Sequence, residues 1–577
     1  MKTSYVKLKH NSKKYQFLIA CMLVAFSAIA QTEMYYFIPF KDKQGVSYSI
    51  SEPQNFLSKK ALDRRKKQNI EVSAEDLPVN VNYITQIKAQ GAKIHQITKW
   101  FNGVVVLCNE TVLGQIKSLN FVKSDEVKMV KSKPTTESEG QKQSKRVYKS
   151  GKKTVDFTKG FEFDKNAYGY SYTQNQMIGA DEMHKKGFWG EGIVMAVFDS
   201  GFSNADKQTY FKHLFENGQI LDTYDFVMNE KSVFEDDDHG RMVLSCIAAY
   251  EKSKIVGTAP KAQFYLFRTE DANTEYMIEE YNWLAAAERA DSLGVDIISS
   301  SLGYTNFDDK NTSYKTEQMD GKTCVTTRAA EIAAQKGMVV VSSAGNEGGS
   351  SWNIISSPAD AASILSIGAV NSRGSIVYFS SRGYTADGRV KPDVLAMGSS
   401  TTVGGDDSEV SYSSGTSFSC PITAGLVAGF WQANPQLTAK QVVEYIRKSG
   451  NQYTKPDNTY GYGIVSFVRA DYLAKKETTP DGIMTGQSPT EFKIYPNPYK
   501  PDNKETIPAI AWGANYRGKD IEIKVYDLKS KLIAQTRLKQ VGKETILEDF
   551  KNLPRGEYIL TITPNLSQQP SVRLVVE

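Results

Sequence analysis

The sequence predicts an α/β domain built on a doubly wound parallel sheet, with a small α+β domain before it and a β-sandwich after it. Apolar runs such as 193–198 and 338–341 do not alternate with polar residues, as in parallel strands covered on both faces. Strand and helix patterns follow one another regularly between 193 and 449. Beyond residue 490 the hydrophobic period changes to two, which is typical of antiparallel strands.

Size and composition indicate a globular protein of several domains. The chain has 577 residues, more than one ordinary hydrophobic core accommodates. Its net charge of +5 is small for this length and is spread along the chain, so nucleic-acid binding is not expected. The five cysteines have neither the spacing of a disulfide framework nor that of a metal site. We expect a monomer with no obligatory disulfide.

Residues 1–30 have the pattern of a secretory signal peptide. A lysine-rich start precedes an apolar stretch at 17–29, and the small residues of Ala28-Ile29-Ala30 come before a polar mature start. A lipoprotein processing box at 18–21 is the alternative, which the apolar residues beyond Cys21 disfavour. We therefore expect an exported protein.

Residues 31–130 alternate short strands with helices, as in a small α+β sandwich. The two predicted helices cover 82–90 and 110–119. From 131 to 153 the sequence is polar, lacks periodicity and contains the basic pair Lys145-Arg146, which is typical of a cleavable linker.

Ser417 is the candidate nucleophile. The segment Ser413-Ser414-Gly415-Thr416-Ser417 leads into an apolar helix, and Pro421 is tolerated near a helix start. In the first helical turn, unpaired backbone N–H groups favour negative charge on a reacting oxygen. A Ser/Gly-rich turn before a core helix is the alternative. A serine hydroxyl is a poor nucleophile until a base takes its proton, so the interpretation requires a histidine.

His239 is the candidate base. It opens an amphipathic helix directly after three aspartates, at a polar-to-apolar junction. His10 lies in the leader and His95 in the N-terminal α+β segment, whereas His184 and His213 are interpreted as ordinary surface residues.

Three further groups follow apolar strands. Asp199 ends one strand, where packing would hold it in place to orient an imidazole. Ala344-Gly345-Asn346 ends a second strand, and the Asn346 amide could donate to an oxyanion. Ser301-Leu302-Gly303 ends a third. Because ligands bind at the carboxyl ends of parallel strands, we expect these groups to share one edge.

Together these motifs resemble those of the subtilisin-like serine proteases, in the order Asp, His, Asn, Ser. The resemblance covers residues from about 174 to 474. It implies a serine endopeptidase with Ser417 as nucleophile, His239 as general base and acid, and Asp199 as the partner that orients His239. It also implies Asn346 as an oxyanion donor beside the Ser417 backbone N–H.

The resemblance further implies how a protein or peptide substrate binds. The edge formed by Ser301, Leu302 and Gly303 would pair with the extended substrate, and with Ala344 and Gly345 it would wall the primary specificity pocket. Two departures from the family pattern, at Arg241-Met242 and at Phe418-Ser419-Cys420-Pro421-Ile422, leave the detailed substrate preference open.

In its position, the segment 31–130 resembles the propeptide of secreted subtilisin-like enzymes. This resemblance implies an intramolecular chaperone and temporary inhibitor, and hence a zymogen whose own propeptide is a binding partner. A parallel sheet pairs strands that are distant in sequence, so the entropy cost of closing long loops comes before the stabilising contacts form. Folding of such a sheet is slow, which is a physical reason for a folding template. A permanent accessory domain is the alternative.

A second linker is expected at 477–488 and a seven-stranded β-sandwich at 489–577. Segments such as Ile494-Tyr495-Pro496-Asn497-Pro498 and Leu553-Pro554-Arg555-Gly556-Glu557-Tyr558 resemble the C-terminal sorting domain of type IX secretion substrates. The resemblance implies the type IX secretion machinery as a partner, export across the outer membrane, and release or attachment at the cell surface. A carbohydrate- or protein-binding β-module is the alternative.

We expect no required cofactor. The polar insertion at 304–324 holds Asp308, Asp309 and Asp320, which could bind a structural calcium ion or belong to a solvated loop. Three rival functions remain: a sedolisin-type peptidase, which His239 and Asn346 disfavour, a catalytically silent adhesin, and a peptide ligase that uses the same machinery.

Overall fold

The computed structural model describes residues 32–132, 158–478 and, with gaps, 492–576. The chain divides into two compact units, Met1–Ala474 and Lys475–Glu577. Each unit has its own hydrophobic core, so each is described by itself.

Three of the sequence predictions fall wholly or mostly outside the described residues. They are the signal peptide at 1–30 and the linkers at 131–153 and 477–488. Within the part of the chain that is described, no helix is long and apolar enough to cross a membrane.

The first unit begins with an antiparallel sheet of four strands in the order β2–β3–β1–β4. Its strands are Met34–Pro39 (β1), Lys93–Thr98 (β2), Gly103–Cys108 (β3) and Lys128–Lys131 (β4), and its helices are Lys59–Lys67 (α1), Val81–Ala89 (α2) and Glu110–Lys117 (α3). The predicted α+β architecture is confirmed. Helix α1 was not predicted, because its sequence is almost entirely charged and shows no apolar stripe.

The rest of the first unit surrounds a seven-stranded parallel sheet in the order β13–β12–β11–β10–β5–β9–β6. The sheet strands are Val194–Asp199 (β5), Ile220–Asp225 (β6), Gln263–Arg268 (β9), Ile297–Ser300 (β10), Val339–Ser343 (β11), Leu365–Val370 (β12) and Val394–Met397 (β13). Two small antiparallel pairs accompany it, Tyr250–Glu251 (β7) with Ile255–Val256 (β8) and Thr401–Gly404 (β14) with Val410–Ser413 (β15). The predicted parallel sheet is confirmed, although the edge strands β6 and β13 were missed.

Ten α-helices are described between residues 158 and 478. They are Lys165–Tyr168 (α4), Tyr172–Met177 (α5), Ala180–Lys185 (α6), Lys212–Glu216 (α7), His239–Ala248 (α8), Ile278–Leu293 (α9), Val325–Gln335 (α10), Thr416–Ala433 (α11), Ala439–Lys448 (α12) and Phe467–Thr478 (α13).

Both faces of the parallel sheet are covered. In β5, Met195 and Val197 belong to a core cluster shared with α8, α11 and α12. Ala196 and Phe198 point to the other face and belong to a second cluster, shared with α9 and α10. This double coverage explains why the strands are apolar throughout rather than alternating.

The N-terminal sheet closes over the second cluster. Tyr36 and Ile38 of β1 face α2 and α3, whereas Tyr35 and Phe37 face the α/β domain. The rings of Phe37 and Tyr281, on α9, are 4.6 Å apart. The N-terminal domain and the α/β domain therefore share one hydrophobic core.

Two buried arginines of α1 add an ionic attachment to this interface. Arg64 donates to Asp291, on α9, at 2.5 Å. Arg65 donates to both carboxylate oxygens of Asp291, at 2.9 and 2.8 Å, and forms a two-bonded pair with Asp76. Lys336, after α10, also reaches Asp76, at 3.2 Å. Removing one partner of a buried ion pair leaves an unpaired buried charge, which is strongly destabilising. The network therefore stabilises the attachment of α1 to the α/β domain.

The second unit contains two antiparallel sheets, in the orders β16–β17–β20 and β19–β18–β21–β22. Its strands are Lys493–Tyr495 (β16), Ala509–Ala511 (β17), Ile521–Asp527 (β18), Leu532–Leu538 (β19), Glu544–Ile546 (β20), Gly556–Pro564 (β21) and Ser571–Val576 (β22). Trp512, Ile523 and Leu560 belong to one buried cluster that joins the sheets. All seven predicted strands are present, which confirms the β-sandwich.

Candidate active site

Three adjacent strands bring the sequence-predicted groups to one edge of the sheet. Asp199 is the last residue of β5, Ser301 directly follows β10, and Ala344–Asn346 follows β11. Helix α11 packs on β10 and β11 and carries Ser417 in its first turn. The Ser301 hydroxyl donates to the Ser417 carbonyl at 2.9 Å, which holds the start of α11 against this edge.

Asp199 and His239 form a direct hydrogen bond. The imidazole Nδ1 donates to Asp199 Oδ1 at 2.7 Å, and Ser200 N donates to the same oxygen at 2.9 Å. The side chain of Asp199 is fully buried, whereas that of His239 is 29% exposed. The carboxylate therefore fixes the orientation of the imidazole through Nδ1. The other ring nitrogen, Nε2, is not engaged by Asp199.

The environment of His239 favours the protonated ring. Burial alone would lower the pKa of His239, but the charge and hydrogen bond of Asp199 and the charges of Asp237 and Asp238 outweigh burial and raise this pKa to about 9. Asp237 also accepts a hydrogen bond from Ser200 at 2.5 Å, which places a second carboxylate beside the Asp199–His239 pair. The role of Asp237 was not evident from the sequence, where it is one of three consecutive aspartates.

Ser417 is buried except for 8% of its surface. The Ser417 hydroxyl donates to the Ser301 carbonyl at 3.4 Å. This distance is long for a hydrogen bond between oxygen atoms, so the hydroxyl can turn to a better acceptor such as an imidazole nitrogen. The ring of the next residue, Phe418, lies 5.8 Å from the His239 ring. The histidine helix and the serine helix therefore meet at this point.

Asn346 lies beside the start of α11. Its Oδ1 accepts hydrogen bonds from the backbone N–H and the hydroxyl of Thr416, at 2.9 and 3.0 Å, which fixes the orientation of the amide. A Cβ atom placed on Gly415 would lie 3.6 Å from both Asn346 Nδ2 and Ser417 N. Asn346 Nδ2 and Ser417 N therefore both lie near the same position beside Gly415. The anchoring role of Thr416 was missed, since only the contact with Asn346 reveals it.

The five residues predicted to bind substrate form two facing segments. They are Ser301, Leu302 and Gly303 after β10 and Ala344 and Gly345 after β11. The two segments are joined by a hydrogen bond from the Ser343 hydroxyl to the Leu302 carbonyl at 3.3 Å.

A serine that the sequence analysis missed lies between these segments. A Cβ atom on Gly303 would come within 2.2 Å of Ser356 Oγ, and one on Gly345 within 3.0 Å of the same oxygen. Among the described residues this oxygen is buried and has no hydrogen-bond partner. The Ser356 side chain therefore occupies the space beside the two glycines, and a larger residue at position 303 or 345 would clash with it.

Arg241, one of the departures from the family pattern, has a structural role. Its side chain is buried and donates to Asp238 at 2.8 Å, to Asp406 at 2.5 Å and to the Ser203 carbonyl at 2.9 Å. These bonds tie the helix of His239 to the segment that follows β14.

The prediction that His184 and His213 are surface residues is wrong, since both are buried. The ring of His184 stacks on that of Trp189 at 3.8 Å, accepts from the Tyr168 hydroxyl at 2.7 Å and donates to the Thr258 carbonyl at 2.9 Å. This aromatic cluster forms from residues that carry no periodic signal in the sequence.

Two carboxylates of the acidic insertion bind backbone groups of their own turns. Asp309 accepts from Asn311 N, and Asp320 accepts from Lys322 N and Thr323 N, so each carboxylate caps its own turn. Nowhere in the described ranges do three or more His, Cys, Asp or Glu side chains come together in a way that could hold a metal ion.

An aspartate, a histidine and a serine at one edge of a parallel sheet are an arrangement that serine hydrolases of α/β fold also have. Comparisons of the sequence with known families identify the domains. Residues 190–463 match the subtilase family, residues 35–146 match the peptidase S8 propeptide domain of Bacteroidota, and residues 493–577 match the secretion system C-terminal sorting domain. The chain therefore combines a subtilase-family domain, a propeptide of that family and a sorting domain that indicates export from the cell.

The curated relatives agree with this family. Serine protease AprX of Bacillus subtilis is 29% identical over 310 residues, which are 48% of this chain and 65% of AprX. Subtilisin E of the same organism is 29% identical over 296 residues, which are 50% of this chain and 68% of subtilisin E. The human membrane-bound transcription factor site-1 protease is 26% identical over 262 residues, which are 44% of this chain and 22% of that protease. The chain thus spans less than two thirds of AprX and of site-1 protease.

Among solved structures, the chain is similar to MycP1 from the ESX-1 type VII secretion system. The sequence identity is 22% and the TM-score 0.41, over 52% of this chain and 85% of that one.

Proposed function

We propose that the chain is the precursor of an exported serine endopeptidase that works through an acyl-enzyme intermediate. The observation that carries this proposal is the 2.7 Å hydrogen bond from His239 Nδ1 to the buried Asp199, at the sheet edge to which α11 brings Ser417. Because Nδ1 is engaged, Nε2 is the nitrogen that can take a proton from the serine hydroxyl.

In the proposed reaction, His239 Nε2 takes the Ser417 proton while the serine oxygen attacks the carbonyl carbon of a peptide bond. The oxygen that becomes negative receives hydrogen bonds from Asn346 Nδ2 and Ser417 N. The imidazolium then gives its proton to the leaving amine. A water molecule, deprotonated by His239, hydrolyses the ester and restores the free hydroxyl.

The proposed substrate is an extended protein or peptide segment. The segment that follows β10, Ser301 to Gly303, lies beside Ser417, because the Ser301 hydroxyl donates to the Ser417 carbonyl at 2.9 Å, and the peptide is proposed to pair with the main chain of this segment. Pairing of this kind accepts most sequences and leaves selectivity to side-chain pockets. The proposed primary pocket is the one walled by the segments Ser301 to Gly303 and Ala344 to Gly345, which follow the adjacent strands β10 and β11.

The N-terminal domain is the proposed inhibitor and folding template of this enzyme. The shared core around Phe37 and Tyr281 and the buried pairs of Arg64 and Arg65 with Asp291 support a tight complex. Release then requires cleavage of the chain beyond Lys131 and separation of this interface.

A ligase that uses the same groups is the alternative that shares most of the mechanism. It differs only in whether an amine or water reaches the acyl-enzyme. Analysis of the products in the presence of an added amine distinguishes the two. The silent adhesin finds no support at the site, where Asp199, His239 and Ser417 are all present.

Replacement of Asn346 by alanine tests the oxyanion assignment. We expect kcat to fall by about 100- to 1,000-fold with little change in KM, because the lost N–H acts mainly in the transition state. The measurement is steady-state cleavage of a fluorogenic peptide. Thr416→Val, which removes one of the two bonds that orient the amide, should give a smaller loss of kcat. A raised KM with unchanged kcat in Asn346→Ala would contradict the assignment.

The pH profile tests the environment of His239. Since the base must be neutral, and since the raised pKa keeps the imidazole protonated up to about pH 9, we expect kcat/KM to rise with pH well beyond 6.5. In Asp237→Asn the rise should move to lower pH, because one of the charges that stabilise the imidazolium is gone. The matched control is Glu444→Gln, an exposed carboxylate on α12. An unshifted profile in Asp237→Asn would contradict this explanation.

A further inference from the structure

A group of four carboxylates lies beside the proposed catalytic edge and is not used by the mechanism. Glu270, Asp271, Glu275 and Glu279 make up this group, called here the acidic pocket. Glu270 and Asp271 follow β9, which is the neighbour of β5 in the sheet, and Glu279 is on α9. Asp308 approaches the rim, where its carboxylate accepts from Glu275 N at 3.3 Å.

The acidic pocket contains a carboxylate oxygen without a partner. Glu279 is 1% exposed, and its Oε1 accepts only a long bond from Asp271 N at 3.4 Å. Its Oε2 is buried and has no hydrogen-bond partner within the described residues. A buried unpaired carboxylate oxygen is costly, and a cation or a proton relieves that cost.

The carboxylates repel one another. Burial, followed by the charge of Glu275, raises the pKa of Glu270 to about 8. Burial, followed by the charges of Asp308 and Glu280, raises the pKa of Glu275 to about 7. Burial and the charges of Glu270 and Glu275 also raise the pKa of Glu279 well above its usual range.

In the precursor, a lysine of the N-terminal domain fills this pocket. Lys131 is the last residue of β4 and is 4% exposed. Its Nζ lies 3.7 Å from Asp271 and 5.4 Å above the ring of Tyr276. Lys131 is the β4 partner of Tyr35 in β1, and both side chains lie on the face of the sheet that is turned to the α/β domain. The charge of Lys131 also opposes the rise in the pKa of Glu279.

In the described part of the α/β domain, Arg268 is a cation whose charge also interacts with Asp271. Arg268 ends β9 next to the pocket, but its guanidinium is committed to Asp225 at 2.8 Å and to Asp236 at 3.4 Å. Departure of the N-terminal domain therefore removes Lys131 and leaves the carboxylates without this counter-charge.

The acidic pocket is connected to the proposed substrate edge. Tyr304, which directly follows Gly303, donates its hydroxyl proton to Glu270. On the other side, the backbone N–H of Thr269 donates to the carbonyl of Asp199 at 2.9 Å. These two bonds link the pocket to the segment of the proposed substrate edge and to Asp199.

We propose that the acidic pocket binds the side chain of a lysine or arginine residue of the substrate after Lys131 has left it. The Tyr276 ring and the carboxylates recognise the cation as they recognise Lys131 in the precursor. The pocket thus gives the enzyme a preference for basic residues near the cleaved bond. This inference rests on the proposed peptidase function.

The test uses the processed enzyme obtained from the expressed full chain and two sets of peptides. One set carries a single lysine at successive positions around a fixed cleavage site, and the other carries uncharged norleucine at the same positions. We expect lysine at one position to raise kcat/KM by about tenfold or more over norleucine. In Glu275→Gln and Asp271→Asn, both at half-buried residues, the lysine preference should fall, whereas cleavage of the norleucine peptides should stay as in the wild type.

The matched control is Asp309→Asn, whose carboxylate caps its own turn, and it should keep the full lysine preference. Cleavage of both peptide sets without preference would overturn the assignment of the acidic pocket and leave the peptidase proposal intact. A preference that persists unchanged in both pocket variants would also overturn it. No cleavage of either set would overturn the peptidase function itself, and with it this inference.

Discussion

Replacement of Ser417 by alanine is expected to abolish peptide hydrolysis while leaving the fold intact. Loss of the nucleophile of such a triad lowers kcat by about six orders of magnitude. The fold should persist because the hydroxyl makes only one long bond, to Ser301 at 3.4 Å, and alanine is well tolerated in a helix. The measurements are turnover of a fluorogenic peptide and the thermal midpoint, together with the size of the purified chain, which should stay uncleaved if the enzyme processes itself.

Ser419→Ala is the matched control. Ser419 is on the same helix and is fully buried, but its hydroxyl donates within the helix to the Thr416 carbonyl at 3.1 Å. We expect it to keep most of the activity. Turnover of the pure Ser417→Ala protein at the wild-type rate would refute the proposed mechanism, as would labelling of that variant by a fluorophosphonate at another serine.

Replacement of Asp291 by alanine is expected to loosen the N-terminal domain. Arg64 and Arg65 would lose their shared carboxylate in a buried interface, and breaking a buried ion pair in this way costs about 3–5 kcal/mol. The change is best made in the Ser417→Ala chain, so that the two domains stay covalently linked. The measurement is the denaturant midpoint of domain separation, followed by the fluorescence of Trp100, which is buried at the interface.

The control for this experiment is on α1, the helix that carries Arg64 and Arg65. Lys59 and Asp63 form an exposed pair on α1, so Lys59→Ala should leave the midpoint unchanged. If Asp291→Ala behaved like Lys59→Ala, the buried network would not contribute to the attachment. The double variant of Arg65→Ala with Asp291→Ala should lose less than the sum of the single variants, because the two side chains form one network.

The sequence predicted the strands and helices that carry the site because these are strongly patterned. The apolar runs of β5, β10 and β11 are covered on both faces, so they stand out without any alignment. Asp199, His239, Asn346 and Ser417 each lie at the end of such an element, and the structure brings their elements to one edge. Their catalytic roles remain proposals.

What the sequence did not reveal depends on contacts between distant segments. The sequence of helix α1 has the composition of a solvent-exposed charged segment. Its burial depends on the ion pairs of Arg64 and Arg65 with Asp291, which the sequence does not reveal. Similarly, His184 is buried by stacking on Trp189, which no local pattern indicates. The partners Thr416 and Ser356 were missed for the same reason, since each acts through a neighbour from another strand or helix.

The core that the first two domains share has a consequence for the enzyme that remains after cleavage. Once β1 and its neighbours leave, Tyr276 and Tyr281, which are now covered, face water. Such a bare aromatic surface tends to self-associate. The liberated peptidase should therefore be less colloidally stable than its longer form, and storage or crystallisation would be easier with the first domain still attached.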